Sequence, residues 1–190
     1  MNKNELLEQL YKPYKNCNKC PLANLGRTHV VFGDGNPNAE LMIIGEAPGK
    51  EEDQENVPFI GRSGKLLTNI LTELGVSRKN IFITNTVKCR PPLNRKPTPQ
   101  ESATCTSILL QHQINIIQPK VICTLGSTAI ENLLRTKEPL SKLYEKIFYH
   151  NDIPIIPSYH PAYIIRNPSQ KHLLFNSLQK ALFLIQSHKK

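Results

Sequence analysis

Four short apolar runs, separated by stretches of helical periodicity, constrain this chain more than any other feature. They are Glu40–Gly45 (ELMIIG), Asn80–Thr84 (NIFIT), Lys120–Gly126 (KVICTLG) and Asp152–Pro157 (DIPIIP). Each is rich in Ile or Val and lacks strict alternation, as strands covered on both faces of a parallel sheet do. Between them, Leu66, Leu67, Ile70, Leu71 and Leu74 recur at helical spacing, with Ser63 as the expected N-cap and Gly75 as the stop. Thr98-Pro99-Gln100-Glu101 reads as a capping box with proline at the first helical position, opening a helix to about Ile117. Further helices are expected over Asn4–Tyr11, over Thr128–Leu134 with Ser127 as cap, and over about Ser169–Ser187. Strands alternating with helices predict an α/β fold, a three-layer α/β/α sandwich around a central, mainly parallel four-stranded sheet. The length suits one core, and residues 1–190 are read as a single domain.

Charge narrows the partner. The 24 basic residues outnumber the 15 acidic ones, for a net +9, which puts nucleic acid ahead of acidic metabolites or an anionic membrane. The cations are scattered, which argues against a disordered basic tail. No apolar run approaches the roughly 18–20 residues that cross a bilayer. Glu5 and Glu8 fall where a secretory signal would need an apolar stretch, so a cytoplasmic location is expected.

In open α/β sheets the ligand crevice lies beyond the carboxyl ends of the strands. The segments leaving those ends are Gly45-Glu46-Ala47-Pro48-Gly49, Asn85 to Pro92, Gly126-Ser127-Thr128 and Ser158-Tyr159-His160-Pro161. Three of them set polar or ionisable side chains beside Gly or Pro. Glu46 and His160 each follow a buried run directly and are candidate site residues. Asn85 ends an apolar strand and needs a partner if buried, a bound ligand being one candidate. Glu51-Glu52-Asp53 can be read simply as a solvated acidic face.

Cys17-Asn18-Lys19-Cys20-Pro21 places two thiols at a spacing that can grip one metal centre from a tight loop. Cys89 and Cys105 would complete a set of four, while Cys123 lies inside an apolar strand and reads as a small core residue. Spacing alone does not separate zinc from an iron–sulfur cluster. The segment Phe59 to Lys65 superficially suggests a phosphate loop. Phe59 stands where the first glycine belongs and no apolar strand leads in, which excludes a Walker-type hydrolase.

Taken in order, GEAPG, PFIGRSG, TNTVKCRPP, NRKPTPQE and SYHPAYIIR resemble the iron–sulfur family 4 uracil-DNA glycosylases, from Cys17 to Arg166. The resemblance implies a [4Fe–4S] cluster on Cys17, Cys20, Cys89 and Cys105. It implies a uracil pocket of Gly45, Glu46, Ala47, Phe59 as the stacking ring, Asn85 as the base reader, and His160. Glu46 and His160 are the expected catalytic pair, with Glu52 a second carboxylate near the pocket. One departure stands out: Asn56-Val57 precede Pro58-Phe59 where the family commonly has Gly-Arg.

The activity so implied is hydrolysis of the N-glycosidic bond of uracil in DNA, leaving an abasic site in base-excision repair without strand cleavage. The expected partner is uracil-containing DNA, double- or single-stranded, met by a monomeric enzyme. Arg62, Lys65, Arg90, Arg95 and Arg166 are candidate phosphate contacts, and the Tyr163-Ile164-Ile165 turn is the expected wedge into the base stack. Two other classes account for part of the pattern: an iron–sulfur electron-transfer protein, and a zinc-stabilised DNA-binding module without catalysis. The first leaves Asn85 and the SYHPA loop without a role, and an iron assay separates the second.

Overall fold

A computed structural model describes residues 1–187; the last three positions of the expected domain lie outside the described residues. Helix α1 (Lys3–Tyr11) opens on a capping box formed by Asn2 and Glu5. Two short strands and a helix follow: β1 (Asp34–Gly35), β2 (Leu41–Gly45) and α2 (Lys50–Glu55). Then come α3 (Arg62–Glu73) and β3 (Phe82–Asn85). Helix α4 (Pro99–Cys105) starts on the expected Thr98–Glu101 capping box. It passes through a π-helical turn at Thr106–Leu110 into α5 (Gln111–Ile117). The remaining elements are β4 (Val121–Leu125), α6 (Ser127–Leu134), α7 (Leu140–Leu143), β5 (Phe148–His150), β6 (Ile153–Ser158), α8 (Pro161–Arg166) and α9 (Lys171–Ser187).

The four expected strands form the parallel centre of the sheet, which has two more strands. Its order is β1-β3-β2-β4-β6-β5, with β1 and β5 antiparallel at the edges. Both edge strands are too short and too exposed to leave an apolar run in the sequence. Alternate residues of the central strands face opposite layers. Leu41, Ile43, Val121, Cys123 and Ile156 pack with α3, α8 and α9. Met42, Ile44, Ile122 and Ile155 pack with α1, α5 and α6. Burying each such side chain contributes about 1.5–3 kcal/mol, and the two-sided cover explains why these strands do not alternate in sequence.

Helix boundaries differ from the expected ones in informative places. Gly61, rather than Ser63, is the N-cap of α3, and Gly126, rather than Ser127, is that of α6. At Gly126 the φ of +89° calls for glycine, whereas Gly61 has an ordinary φ of −68° and a Cβ there would come within 3.2 Å of Glu52 Oε1. The π turn was not foreseen. It begins just after Cys105 and lets adjacent residues serve different cores: Leu109 packs among the cysteines and Leu110 against the sheet. No described helix is long and apolar enough to cross a membrane.

Candidate active site

The chain runs from β2 to β3 on one side and then to β4 on the other, so the loops after β2 and β4 diverge. A cleft of about 670 Å³ opens where they part, the position such sheets favour for ligands. Among its lining residues are Glu46, Ala47, Phe59, Asn85, Gly126 and His160.

Gly45 and Asn85 are register partners at the ends of β2 and β3. A Cβ on Gly45 would lie 2.5 Å from both Asn85 Oδ1 and the Phe59 ring. Only glycine admits both side chains, and so Gly45 shapes the floor of the cleft. Asn85 is buried, yet its Oδ1 has no hydrogen-bond partner. A buried acceptor left open is costly, and Asn85 is among the residues that line the cleft.

Phe59 is also held by unusual backbone. Its φ is +53°, a left-handed conformation that an aromatic residue seldom adopts. Arg78 clamps this turn, its Nη1 donating to the Phe59 oxygen at 2.7 Å and its Nη2 to that of Pro58. Gly64 permits the approach of α3, since a Cβ there would meet the Phe59 oxygen at 1.9 Å. Glu52 completes the support: its Oε1 accepts from the N–H groups of Ile60 at 3.1 Å and Gly61 at 2.9 Å.

The acidic-face reading of Glu51-Glu52-Asp53 therefore does not hold for two of the three. Glu52 and Asp53 are buried. The Asp53 carboxylate accepts from the main-chain N–H groups of Thr28 and His29, tying the N-terminal segment to α2. Each carboxylate finds partners in otherwise unpaired backbone donors, which no local sequence pattern announces.

His160 packs near Phe59, with ring centroids 5.7 Å apart. Its Nδ1 accepts from the N–H of Ala162 at 3.1 Å, which leaves the ring proton of the neutral imidazole on Nε2. Burial, with help from the Arg166 charge and against that of Glu52, pulls its pKa down to about 4. The ring is thus a neutral donor at ordinary pH. Glu46 accepts a short hydrogen bond from Thr128 Oγ1 on its Oε2. That bond spans the diverging loops after β2 and β4.

The four candidate cysteine ligands gather in one apolar cluster with Leu22, Val30, Val87 and Leu109. Cys123 lies in the separate sheet core, as expected. Burial pushes the Cys89 thiol up to about 11 and that of Cys105 to about 12. Two cations oppose this. Arg27 donates from Nη1 to Cys89 Sγ at 2.9 Å, and the Lys88 charge acts on Cys105. Among the described residues, no three His, Cys, Asp or Glu side chains converge on one ion-sized point. Ala47 touches this cluster and also lines the cleft, so the cysteines lie directly behind the pocket.

Lys88 escaped sequence reasoning, as did Arg78, Arg27 and Thr128. It is 0% exposed, and its Nζ donates to Thr84 Oγ1 at 2.5 Å and to the Asn85 oxygen at 2.7 Å. Its burial lowers its pKa to about 7, and Cys105 and Cys89, in their thiolate form, oppose the fall. Its place between Asn85 and Cys89 was the available signal: a lone cation just after a buried strand.

The expected phosphate contacts divide. Arg62, Arg95 and Arg166 line the cleft; Lys65 and Arg90 do not. Arg95 makes a forked pair with Glu101, at 2.8 Å on both oxygens, so part of its charge is already matched. Of the expected wedge, Ile164 is 2% exposed within α8 and packs in the sheet core, so it is not free to insert. Tyr163 stacks on Tyr159 at 4.9 Å and also lines the cleft, and Ile165 is half-buried.

Residues 32–183 match the family described as the Uracil DNA glycosylase superfamily. The chain is 42% identical over 186 residues to the type-4 uracil-DNA glycosylase of Thermotoga maritima, covering 96% of each. It is also 42% identical to that of Sulfurisphaera tokodaii, over 92% of this chain and 82% of the relative. Similarity to the type-5 uracil-DNA glycosylase of Thermus thermophilus is lower, 33% over 118 residues.

Proposed function

The chain belongs to the uracil-DNA glycosylase superfamily as a type-4 uracil-DNA glycosylase of base-excision repair, and we propose that it works through the following division of labour among its own residues. The open Oδ1 of Asn85 carries the reading. It accepts from uracil N3–H while the amide NH2 donates to O4. Cytosine presents an acceptor at N3 and a donor at the exocyclic position, so like groups would meet inside a buried site. Stacking on Phe59 contributes ~1–3 kcal/mol toward the few kcal/mol that flipping the base costs.

Cleavage breaks the C1′–N1 bond, with its electron pair leaving on uracil. The neutral His160 donates from Nε2 to O2 as negative charge develops there. A proton fixed on Nε2 by the Ala162 contact needs no rearrangement at that moment. Water adds to C1′ and gives up a proton, for which Glu46 is the acceptor. Thr128 holds one Glu46 oxygen and leaves the other for water. Glu52 is occupied by backbone donors and supports the Phe59 turn, which favours Glu46 over it for the chemical role.

The donor set suits an iron–sulfur cluster: four gathered cysteines with two adjacent cations. Cys17, Cys20, Cys89 and Cys105 would hold it, and its anionic charge would brace the loops behind the pocket. We read the chain as one domain acting as a monomer, with Arg62 and Arg166 meeting DNA phosphates at the cleft. Among the described lysines, Lys50 is exposed on the first turn of α2 at the cleft and Lys88 is buried behind its floor, and we read the enzyme as monofunctional, leaving the strand intact.

Incubation with a uracil-containing oligonucleotide followed by hot alkali tests this reading. Strand breaks are expected at uracil only after alkali. Breaks before alkali would overturn the monofunctional assignment, and none after it would overturn the pocket.

A further inference from the structure

We propose that Arg78 positions the base-stacking ring, acting on uracil recognition through Phe59 from outside the cleft, an inference that rests on the glycosylase reading above. Arg78 opens the short 3₁₀ turn Arg78–Asn80 between α3 and β3 and is not among the residues that line the cleft. It does not touch the base. Its guanidinium instead grips two successive carbonyls, Nη1 donating to the Phe59 oxygen at 2.7 Å and Nη2 to that of Pro58. On its remaining side, Nε lies 3.5 Å from Asp34 Oδ2 of the edge strand β1.

The turn needs that grip. Among the described residues, no main-chain hydrogen bond reaches Pro58, Phe59 or Ile60. Phe59 nonetheless holds a φ of +53°, a conformation that persists only where its surroundings over-determine it. Those surroundings are two side chains of opposite charge. Arg78 takes the carbonyls of Pro58 and Phe59, and Glu52 Oε1 takes the N–H groups of Ile60 and Gly61. A cation and an anion thus fix four backbone groups in succession. Glu52 itself lines the cleft, so replacing it disturbs the pocket directly. Arg78 is the half of the clamp that can be removed without touching the pocket wall.

The consequence falls on the base more than on the DNA around it. A ring fixed before the base arrives loses no freedom when the base lands, so the whole stacking energy goes into binding. Without Arg78 the turn can relax toward ordinary negative φ, and the ring leaves the space that Gly45 keeps open for it. Lysine is no substitute. Its single ammonium lacks the planar fork that meets two carbonyls at once.

The test uses a duplex bearing 2′-fluoro-2′-deoxyuridine, which resists cleavage, beside the same duplex with thymine at that position. The ratio of the two dissociation constants reports what the pocket contributes. Arg78→Ala should lower that ratio by ~10-fold, within what one base–aromatic stack supplies, and leave the thymine duplex within about twofold. In a Phe59→Ala background the same substitution should change the ratio by less than about twofold, since a residue acting through the ring has nothing left to act on. Arg78→Lys should match Arg78→Ala in both backgrounds, and it carries the test if the alanine variant does not fold. Melting temperature and iron content are the controls. Equal losses with and without the ring would mark a general structural role and overturn the proposal, as would an undiminished ratio in Arg78→Lys. Should Phe59→Ala alone leave the ratio unchanged, the pocket reading falls and takes the proposal with it.

Discussion

Lys88 Nζ lies 2.7 Å from the main-chain oxygen of Asn85, and this buried ammonium faces the cysteine cluster with the pocket floor at its back. An enclosed cation needs counter-charge, and thiolates supply it only when a metal centre holds them deprotonated. Lys88 therefore joins the state of the cysteines to the placement of the base reader.

That linkage predicts a reversal of sign. With iron bound, Lys88→Met should lower the melting temperature, since two charge-assisted hydrogen bonds and an ion pairing are lost, and uracil cleavage should slow. With iron stripped by a chelator, the same substitution should raise it, because an isolated buried charge has been removed. Paired melting curves of loaded and stripped protein check this. A shift in the same direction for both would dissolve the linkage.

Cys89→Ser and Cys105→Ser should bleach the protein and destabilise it, whereas Cys123→Ser should leave colour and iron unchanged. Iron and sulfide near four each per chain are expected from anaerobic preparations. Stoichiometric zinc without iron would refute the cluster.

His160 carries a pH signature. In an unfolded chain its imidazole protonates near 6.5, but in the fold only near 4. Between these values the unfolded state binds more protons, so stability falls as pH drops from about 6.5 toward 4. His160→Ala should flatten that part of the stability curve in urea titrations. The cleavage rate of the parent should show no His160 inflection near 6.5. The substitution should cost ~100-fold in single-turnover rate with little change in affinity, as for other lost oxyanion donors.

Asn85→Asp tests base reading apart from bond breaking. A carboxylate facing uracil O4 repels it, while cytosine's amino group gains an acceptor. A large loss on uracil is expected, with a gain on cytosine relative to that loss, measured on matched duplexes. Equal losses on both bases would remove Asn85 as the reader.

The central sheet was legible because its signal is local: runs such as Met42 to Ile44 and Ile122 to Cys123 can be buried in a sheet only as strands. The capping box at Thr98 and Glu101 is likewise a short-range event. The edge strand Asp34–Gly35 was not legible, since two exposed residues carry no pattern. The packing of the expected wedge was hidden for a related reason. Tyr163 and Ile164 look free in sequence, and only the packing of α8 against the sheet core shows them occupied.

Residue type and order along the chain were enough to establish the α/β architecture, the family and the set of side chains at the strand ends, because these depend on periodicity and on motifs in fixed succession. They were silent on Lys88 beneath Asn85, Arg78 behind Phe59 and Thr128 against Glu46. Those relationships join residues from different elements. Burial, desolvation and hydrogen-bond direction exist only once the layers have closed, and it is they that decide which carboxylate is free, which imidazole stays neutral and which cation faces the thiols.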